Sequence, residues 1–330
     1  MADTTPISAA KRIQQATGPT FHVATRFLPE RVRHPTYVLY AYFRLADQVV
    51  DDPDPLPAAQ QAERLETFKH GALGNTEPDH PVVAAMADLV ETHGIDPEDI
   101  EAFIDAMASD IDGDAYDTYT DLEGYLRGSA VAVAYMMLDV MDPADPEVAR
   151  PHARALGEAF QLTNFIRDVR EDVVEYDRVY LPRSTLQTAG TDADAIRGLT
   201  FSPAVARVVA TELERAEQRY HDGVAGIRYL PPDCRFPVLL AAVLYAEHHR
   251  EIRRVGYNVI DHRPTIPTRR YPLLVARTWL HWKRLGDPAA VFYRASAIDR
   301  PRTAPQQSST APLANLVDGA KAHLPLSRGD

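Results

Sequence analysis

Apolar residues recur with helical period through almost the whole chain, and the breaks between periodic stretches are clusters of proline and glycine. This pattern constrains the fold more than any single motif. The clearest stretches run from Pro35 to Asp52, Pro57 to Leu73, Pro81 to Thr92, Pro97 to Ile111, Leu122 to Asp139, Pro146 to Val174, Pro203 to Ile227 and Arg235 to Val255. Many open on proline, whose preset φ suits the first helical turn. No run of strand alternation is visible, and no internal repeat beyond two acidic segments. The expected fold is all-α, a single-domain helical bundle around a central cavity, spanning residues 19–298. Residues 1–18 and 299–330 are polar or proline-rich with weak apolar period and read as a mobile N-terminus and a disordered tail.

The two acidic segments are Tyr40-Ala-Tyr-Phe-Arg44-Leu-Ala-Asp47-Gln-Val-Val-Asp51 and Gln161-Leu-Thr-Asn164-Phe-Ile-Arg167-Asp168-Val-Arg-Glu-Asp172. Each carries Asp-x-x-x-Asp, which puts two carboxylates on one helix face with an arginine at most one turn before them. Four such pairs occur among the 30 aspartates, so spacing alone is weak. Context separates these two, because Asp47 and Asp51 extend a stripe of Tyr37, Tyr40 and Arg44, while Asp168 and Asp172 extend Gly157, Gln161 and Asn164. Magnesium suits such a face, since it takes oxygen ligands and is commonly held by one or two carboxylates together with substrate phosphates. Two faces opposed across a cavity would hold two diphosphates. The competing interpretation is a set of solvated surface carboxylates.

Composition narrows the function further. A formal net charge of −12 and the lack of a basic patch argue against nucleic acid as a partner. Only four of the 35 basic residues are lysines, the pattern of an acidic surface in a salt-rich cytoplasm or of an ordinary acidic cytosolic enzyme. The longest near-continuous apolar run, Phe236 to Ala246, is about half of the roughly 20 residues a bilayer span needs. The N-terminus lacks the layout of a signal peptide, and the single cysteine, Cys234, cannot close an intrachain disulfide, so a cytoplasmic location is expected. Gly-x-x-x-x-Gly-Lys and Gly-x-Gly-x-x-Gly loops are absent, so any diphosphate here is held by metal and arginine.

On these residues the chain resembles the squalene and phytoene synthase family, the head-to-head prenyl synthases, and within it the phytoene-forming members most. The likeness runs from about Phe21 to Leu274. It is strongest over Leu156 to Asp172 and the segment Arg178-Val-Tyr180-Leu-Pro182 after it, with a second match in Phe27-Leu-Pro29 and Tyr40 to Asp51. Looser agreement comes from Asp121 to Ala130, Tyr245 and Tyr257-Asn-Val259. The resemblance implies the isoprenoid synthase type of bundle and a condensation of two geranylgeranyl diphosphates to phytoene, the 15-cis form, through a cyclopropyl diphosphate. It implies Mg²⁺, with Mn²⁺ as an alternative, and no NADPH. Asp47, Asp51, Asp168 and Asp172 are the implied metal ligands, and Arg44, Arg167, Tyr125 and Tyr245 the implied catalytic residues. Thr20, Phe21, Tyr40, Gln161, Asn164 and Arg263 are implied substrate contacts. A squalene or dehydrosqualene synthase using farnesyl diphosphate is the nearest alternative, and a non-catalytic assembly factor is the alternative of another class. Head-to-tail synthases and terpene cyclases usually carry Asp-Asp-x-x-Asp, a form neither segment has. An apolar product also implies transient, peripheral contact with a membrane surface.

Departures from the family pattern are local. The serine-rich stretch before the first phenylalanine is Thr17-Gly-Pro-Thr20-Phe21, which leaves Thr20 as the hydroxyl contact. Two glycines expected after Tyr125 are Val131 and Ala134, which would narrow the prenyl channel, and the late arginine pair is His262-Arg263. The acidic run from Asp110 to Asp121 fails as a calcium loop, because its sixth position is Ala115 where the sharp turn requires glycine and its twelfth is aspartate. It reads as a solvated inter-helix segment. Glu247-His248-His249 and Cys234 lack metal-site spacing and read as structural.

Overall fold

The computed structural model describes residues 19–301 apart from residues 53, 112 and 114. The tails expected at residues 1–18 and from 302 onward lie outside the described residues. Described residues up to Asp299 belong to one compact unit, and no strand occurs among them.

In chain order the helices are α1 (Pro19–Thr25), α2 (Glu30–Val50), α3 (Ala58–Ala72), α4 (Pro81–His93), α5 (Pro97–Ser109), α6 (Tyr119–Leu126) and α7 (Val133–Met141). They continue as α8 (Pro146–Arg167), α9 (Val169–Tyr176), α10 (Arg183–Thr188), α11 (Ala193–Arg197), α12 (Pro203–Gly226), α13 (Pro232–Arg254), α14 (Arg270–Leu285) and α15 (Pro288–Ala295). Side-chain caps start several of them. Asp145 accepts from the Val148 N–H at α8, Ser202 from Val205 at α12, and Thr118 with Asp121 forms a capping box at α6. Each such cap is worth about 1 kcal/mol.

Three boundaries differ from the sequence reading, each for a physical reason. Helix α2 opens at Glu30 instead of Pro35, because Pro29 sets the approach and Pro35 is accommodated inside the helix. The stretch Leu122 to Asp139 is two helices joined by a π-helical turn, Arg127–Ala132. That turn places an extra residue in the helical path and so rotates α7 about its axis relative to α6. The stretch Pro146 to Val174 breaks at Asp168 (φ −103°, ψ 13°), although the Asp168 N–H still donates to Asn164 O and the Asp172 N–H to Asp168 O, both at 2.9 Å.

The core is one large apolar cluster that includes Tyr42, Phe68, Leu65, Met86 and Ile104 of the N-terminal half and Tyr220, Leu240 and Phe292 of the C-terminal half. Aromatic rings lock part of it, with Phe43 and Phe103 at 4.8 Å between centroids, a pairing worth about 0.5–1.5 kcal/mol beyond area burial. Glycine allows the closest helix approaches. A Cβ on Gly226 of α12 would lie 2.0 Å from the His152 Cβ of α8, one on Gly223 would lie 2.7 Å from the Leu156 N, and one on Gly128 would lie 2.1 Å from the Ala102 O of α5. These approaches hold α8 against α12 and the π turn against α5.

Gly128→Ala is therefore expected to cost at least about 1–3 kcal/mol, the range for overpacking, because a backbone carbonyl cannot step aside. Gly124 sits in α6 with nothing within 4 Å of its Cβ position. Gly124→Ala is expected to be neutral or to stabilise by up to about 1 kcal/mol through helix propensity. Urea unfolding of the two variants checks the contrast, and equal effects would show that the close approach at Gly128 is not formed.

Candidate active site

A cavity of about 730 Å³ runs through the bundle, at the large end of small-molecule sites. Helices α1, α2, α5, α7, α8, α12 and α13 wall it, with the π turn, α9 and the first turn of α14. Much of the wall is apolar, including Met137, Leu138, Met141, Leu156, Ile227 and Leu230. The two acidic segments enter from different elements. Asp47 and Asp51 come from the C-terminal end of α2, and Asp168 and Asp172 from the junction of α8 and α9.

The backbone gives these carboxylates an unusual setting. Asp51 is the C-cap of α2, where its charge adds to unpaired carbonyls, whereas Asp168 is at once the C-cap of α8 and the N-cap of α9, whose first turn also holds Glu171 and Asp172. That arrangement is unfavourable without a cation. The chain supplies arginines. Arg44 Nη1 donates to Asp47 at 3.1 Å, Arg178 Nη1 to Asp51 at 2.9 Å, and Arg167 to both oxygens of Asp168. Arg263 pairs with Glu171 and lies 3.7 Å from Asp168. Asp172 has no ion-pair partner among the described residues.

Charge crowding shifts the titration of the group. Desolvation against the surrounding helices pushes Asp47 up to about 7, with Arg44 opposing and Asp51 and Asp110 adding repulsion. Desolvation and then Asp168 and Glu171 push Asp172 up to about 8. Among the described residues no cluster of three or more His, Cys, Asp and Glu closes round a single metal position. The donor set nonetheless fits hard divalent ions that a diphosphate helps to hold, since it is all oxygen and comes in pairs on two walls. The buried Asn164 Oδ1, which has no hydrogen-bond partner, adds another oxygen. Magnesium would be held by Asp47 and Asp51 on one side and Asp168 and Asp172 on the other.

The remaining expected residues fall on the same cavity, apart from Thr20, whose side chain is outside the described set. Phe21, Tyr40, Gln161 and Tyr245 line the wall, and the Phe21 ring meets Tyr245 edge-on at 6.5 Å. Gln161 Oε1 accepts from Asn164 Nδ2 at 3.4 Å. Tyr125 also lines the cavity, but its hydroxyl donates to Asp110 Oδ2 at 2.8 Å. Of the two positions expected to narrow the channel, Ala134 lines the cavity beside Gly157, while Val131 is buried elsewhere. Ala130, Val133 and Ala134, at three- and four-residue spacing, share the cavity face, and the π turn runs through its start.

Two sequence expectations need correction. The acidic run after Asp110 is not uniformly solvated. Asp110 is buried at the end of α5, accepts from Tyr125 and, at 3.4 Å, from Tyr180, and is pushed up to about 6 by desolvation. Asp117 and Asp121 are surface groups, pairing with Arg183 and capping α6, while residues 112 and 114 lie outside the described residues. His248 is more than structural filling, because it lines the cavity and its Nε2 lies 3.4 Å from Arg167 Nη1. Its Nδ1 faces the Pro264 carbonyl at 3.3 Å, and desolvation followed by repulsion from Arg167 lowers it to about 3. A neutral ring with Nδ1–H donating to Pro264 leaves Nε2 to accept from Arg167 and orient it. His249 and Cys234 are buried as expected of structural residues.

Arg178 is the functional candidate the sequence reading passed over. It touches the Asp51 carboxylate, the Val50 carbonyl and the Asp110 carbonyl at once. Burial opposes its charge, but Asp110, Tyr180 and Asp51 outweigh this and hold it protonated. Its one sequence signal was its place in Arg178-Val-Tyr180, just after the second acidic segment.

The all-α fold is that of a solved dehydrosqualene synthase, which superposes with a TM-score of 0.74 over 84% of this chain and 97% of its own, at 24% identity. The family model described as squalene/phytoene synthase matches residues 14–270, and the chain belongs to that family. It is 34% identical to the phytoene synthase of Rhodobacter capsulatus, covering 78% of this chain and 76% of that one. It is 33% identical to the phytoene synthase of Arthrospira platensis, covering 76% and 84%. Family members in general are divalent-metal-dependent and act on prenyl diphosphates. Among the described residues no helix is long and apolar enough to cross a membrane.

Two outcomes are expected from this geometry. Metal must displace protons from Asp47 and Asp172, so Mg²⁺ affinity in the presence of inorganic diphosphate should rise as pH climbs from about 6 to about 8.5, with proton release at pH 7. Calorimetry in two buffers of different ionisation enthalpy reads the protons, and Asp172→Asn should remove the upper part of the pH dependence. Tyr125→Phe strips a donor from the buried Asp110 and is expected to cost about 1–3 kcal/mol in denaturant unfolding. No loss of stability would place the Tyr125 hydroxyl in solution contact instead.

Proposed function

We propose that the chain condenses two molecules of geranylgeranyl diphosphate head to head into phytoene. The observation that carries this reading is the meeting of two acidic helix ends on one largely apolar cavity, in a chain a third identical to proteins named phytoene synthase. In the first step one diphosphate leaves and the resulting allylic cation is attacked by the double bond of the second molecule. A proton is lost as the cyclopropane ring closes. In the second step the remaining diphosphate leaves, the ring opens by rearrangement, and a further proton is lost to give the hydrocarbon.

The residues divide this work by position. Arg44, Arg167, Arg178 and Arg263 are the cations beside the acidic pairs, and a guanidinium that now pairs with a carboxylate can turn its fork to a diphosphate oxygen. Bound Mg²⁺ would supply Lewis-acid stabilisation of the negative charge that builds on each departing diphosphate. His248 keeps Arg167 aimed at the cavity without adding a charge of its own. Phe160, Phe165, Tyr245 and the aliphatic wall keep water from the cations, which would otherwise be quenched to alcohols. Phe21, Tyr40 and Gln161 line the same cavity and would contact the prenyl diphosphates. Both steps lose protons and neither consumes a hydride, so no nucleotide reductant is needed.

The test is an incubation of purified protein with Mg²⁺ and radiolabelled C15 or C20 prenyl diphosphate, with and without NADPH, at low and molar salt. Phytoene from the C20 substrate alone is expected, and Asp168→Ala should lower its formation by at least about a hundredfold with an unchanged melting temperature. A C30 hydrocarbon from the C15 substrate would move the assignment to the squalene branch. No product at any salt would favour a non-catalytic role.

A further inference from the structure

Helix α14 differs from the rest of the surface in both charge and polarity. Contrary to the expectation of no basic patch, between Asp261 and Asp287 the chain has no acidic residue and carries Arg263, Arg269, Arg270, Arg277, Lys283 and Arg284, in a protein whose formal net charge is −12. Only Leu274 and Thr278 of this helix are buried. Its outer face exposes Leu273 (68%), Trp279 (50%) and Leu280 (43%). Residues 273, 277, 280 and 284 succeed one another at three- and four-residue intervals, so apolar and basic side chains share one exposed face. Glu247 and Glu251 draw Arg270 inward. Lys283 and Arg284 have no carboxylate partner among the described residues, and Lys283 lies 5.7 Å from the Trp279 ring centre.

This face adjoins the cavity. Tyr271, in the first turn of α14, lines it, as do Thr265 and Ile266 just before the helix. On the inner side Trp282 meets Phe236 at 6.2 Å, and Phe236 meets the half-exposed Phe27 at 5.6 Å. Leu28, the next residue after Phe27, again lines the cavity.

We propose that α14 docks the cavity on an anionic lipid surface. Leucine and tryptophan enter the interface while the flanking cations meet lipid phosphates, the pattern of a helix that lies in the membrane plane. Repulsion from carboxylates elsewhere on the protein is screened beyond a Debye length of about 8–10 Å, so the nearest charges decide the orientation. A second copy of the chain is a poor occupant, because a two-fold contact would set these cations against their own copies. The benefit to catalysis rests on the proposed function, since a C40 hydrocarbon released beside lipid avoids water. The docking itself does not depend on it.

Both tryptophans of the chain lie in α14, so intrinsic emission reports the event directly. The full-length protein, without substrate or metal, is mixed at about 0.1 M salt, where the Debye length is about 10 Å, with vesicles of equal parts phosphatidylglycerol and phosphatidylcholine, or with pure phosphatidylcholine. A blue shift and co-sedimentation are expected with the anionic vesicles only. In Trp282→Phe, brominated lipid should quench the remaining Trp279. Lys283→Glu with Arg284→Glu, and separately Leu273→Ser with Leu280→Ser, should weaken partitioning by at least about tenfold at an unchanged melting temperature. Unchanged emission of the wild-type protein on anionic vesicles would overturn the proposal. So would a concentration-dependent dimer in sedimentation velocity that the leucine variant abolishes. Because no substrate is present, a negative result here leaves the assigned chemistry standing, and an inactive enzyme leaves the docking result standing.

Discussion

Negative charge gathered inside a poorly solvated cavity is the condition on which the site depends. Asp51 closes α2, Asp168 stands between α8 and α9, and Asp47, Asp110 and Asp172 lie near enough to repel them. A group of this kind stays folded only if cations or protons offset it. The structure shows both remedies, with arginines against Asp47, Asp51 and Asp168 and raised proton affinity at Asp47 and Asp172. Under the proposed function the same imbalance would favour divalent ions, because a metal would replace the protons and free the arginines to turn toward phosphate.

The bundle tolerates this strain because its helices are tied closely elsewhere. Gly223 and Gly226 bring α12 onto α8, and Gly128 brings the π turn onto α5. Those contacts fix the walls while leaving the cavity between them open. The π turn also sets which side chains of α7 face inward, so it bears on channel width as directly as residue size does. Arg178 ties the end of α2 to the end of α5 through two carbonyls and a carboxylate, and thereby sets the first acidic wall against the rest of the cavity.

Much of the site was legible in the sequence because it rests on local geometry. An i,i+4 pair of aspartates faces one way wherever the backbone keeps its hydrogen-bond ladder, and the Asp172 N–H bond to the Asp168 carbonyl keeps it across the break between α8 and α9. Asp110 and His248 were hidden for the opposite reason. An aspartate at a helix end among other acids looks solvated until Tyr125, Tyr180 and Arg178 are known to close over it. A histidine beside another histidine looks like core until Arg167 is found against its ring. Val131 lies one residue from Ala130, off the stripe that Ala130, Val133 and Ala134 form, and is buried away from the cavity.

By itself the sequence determined the all-helical class, the two acidic segments and the family, because each depends on residue types at fixed short spacing. Only the tertiary structure decided which carboxylates share a cavity, which arginines neutralise them, where the channel is narrow, and that α14 presents an unpaired cationic and apolar face. Those outcomes depend on distances between residues far apart in the chain. Close packing of helices sets such distances, and no local periodicity encodes them.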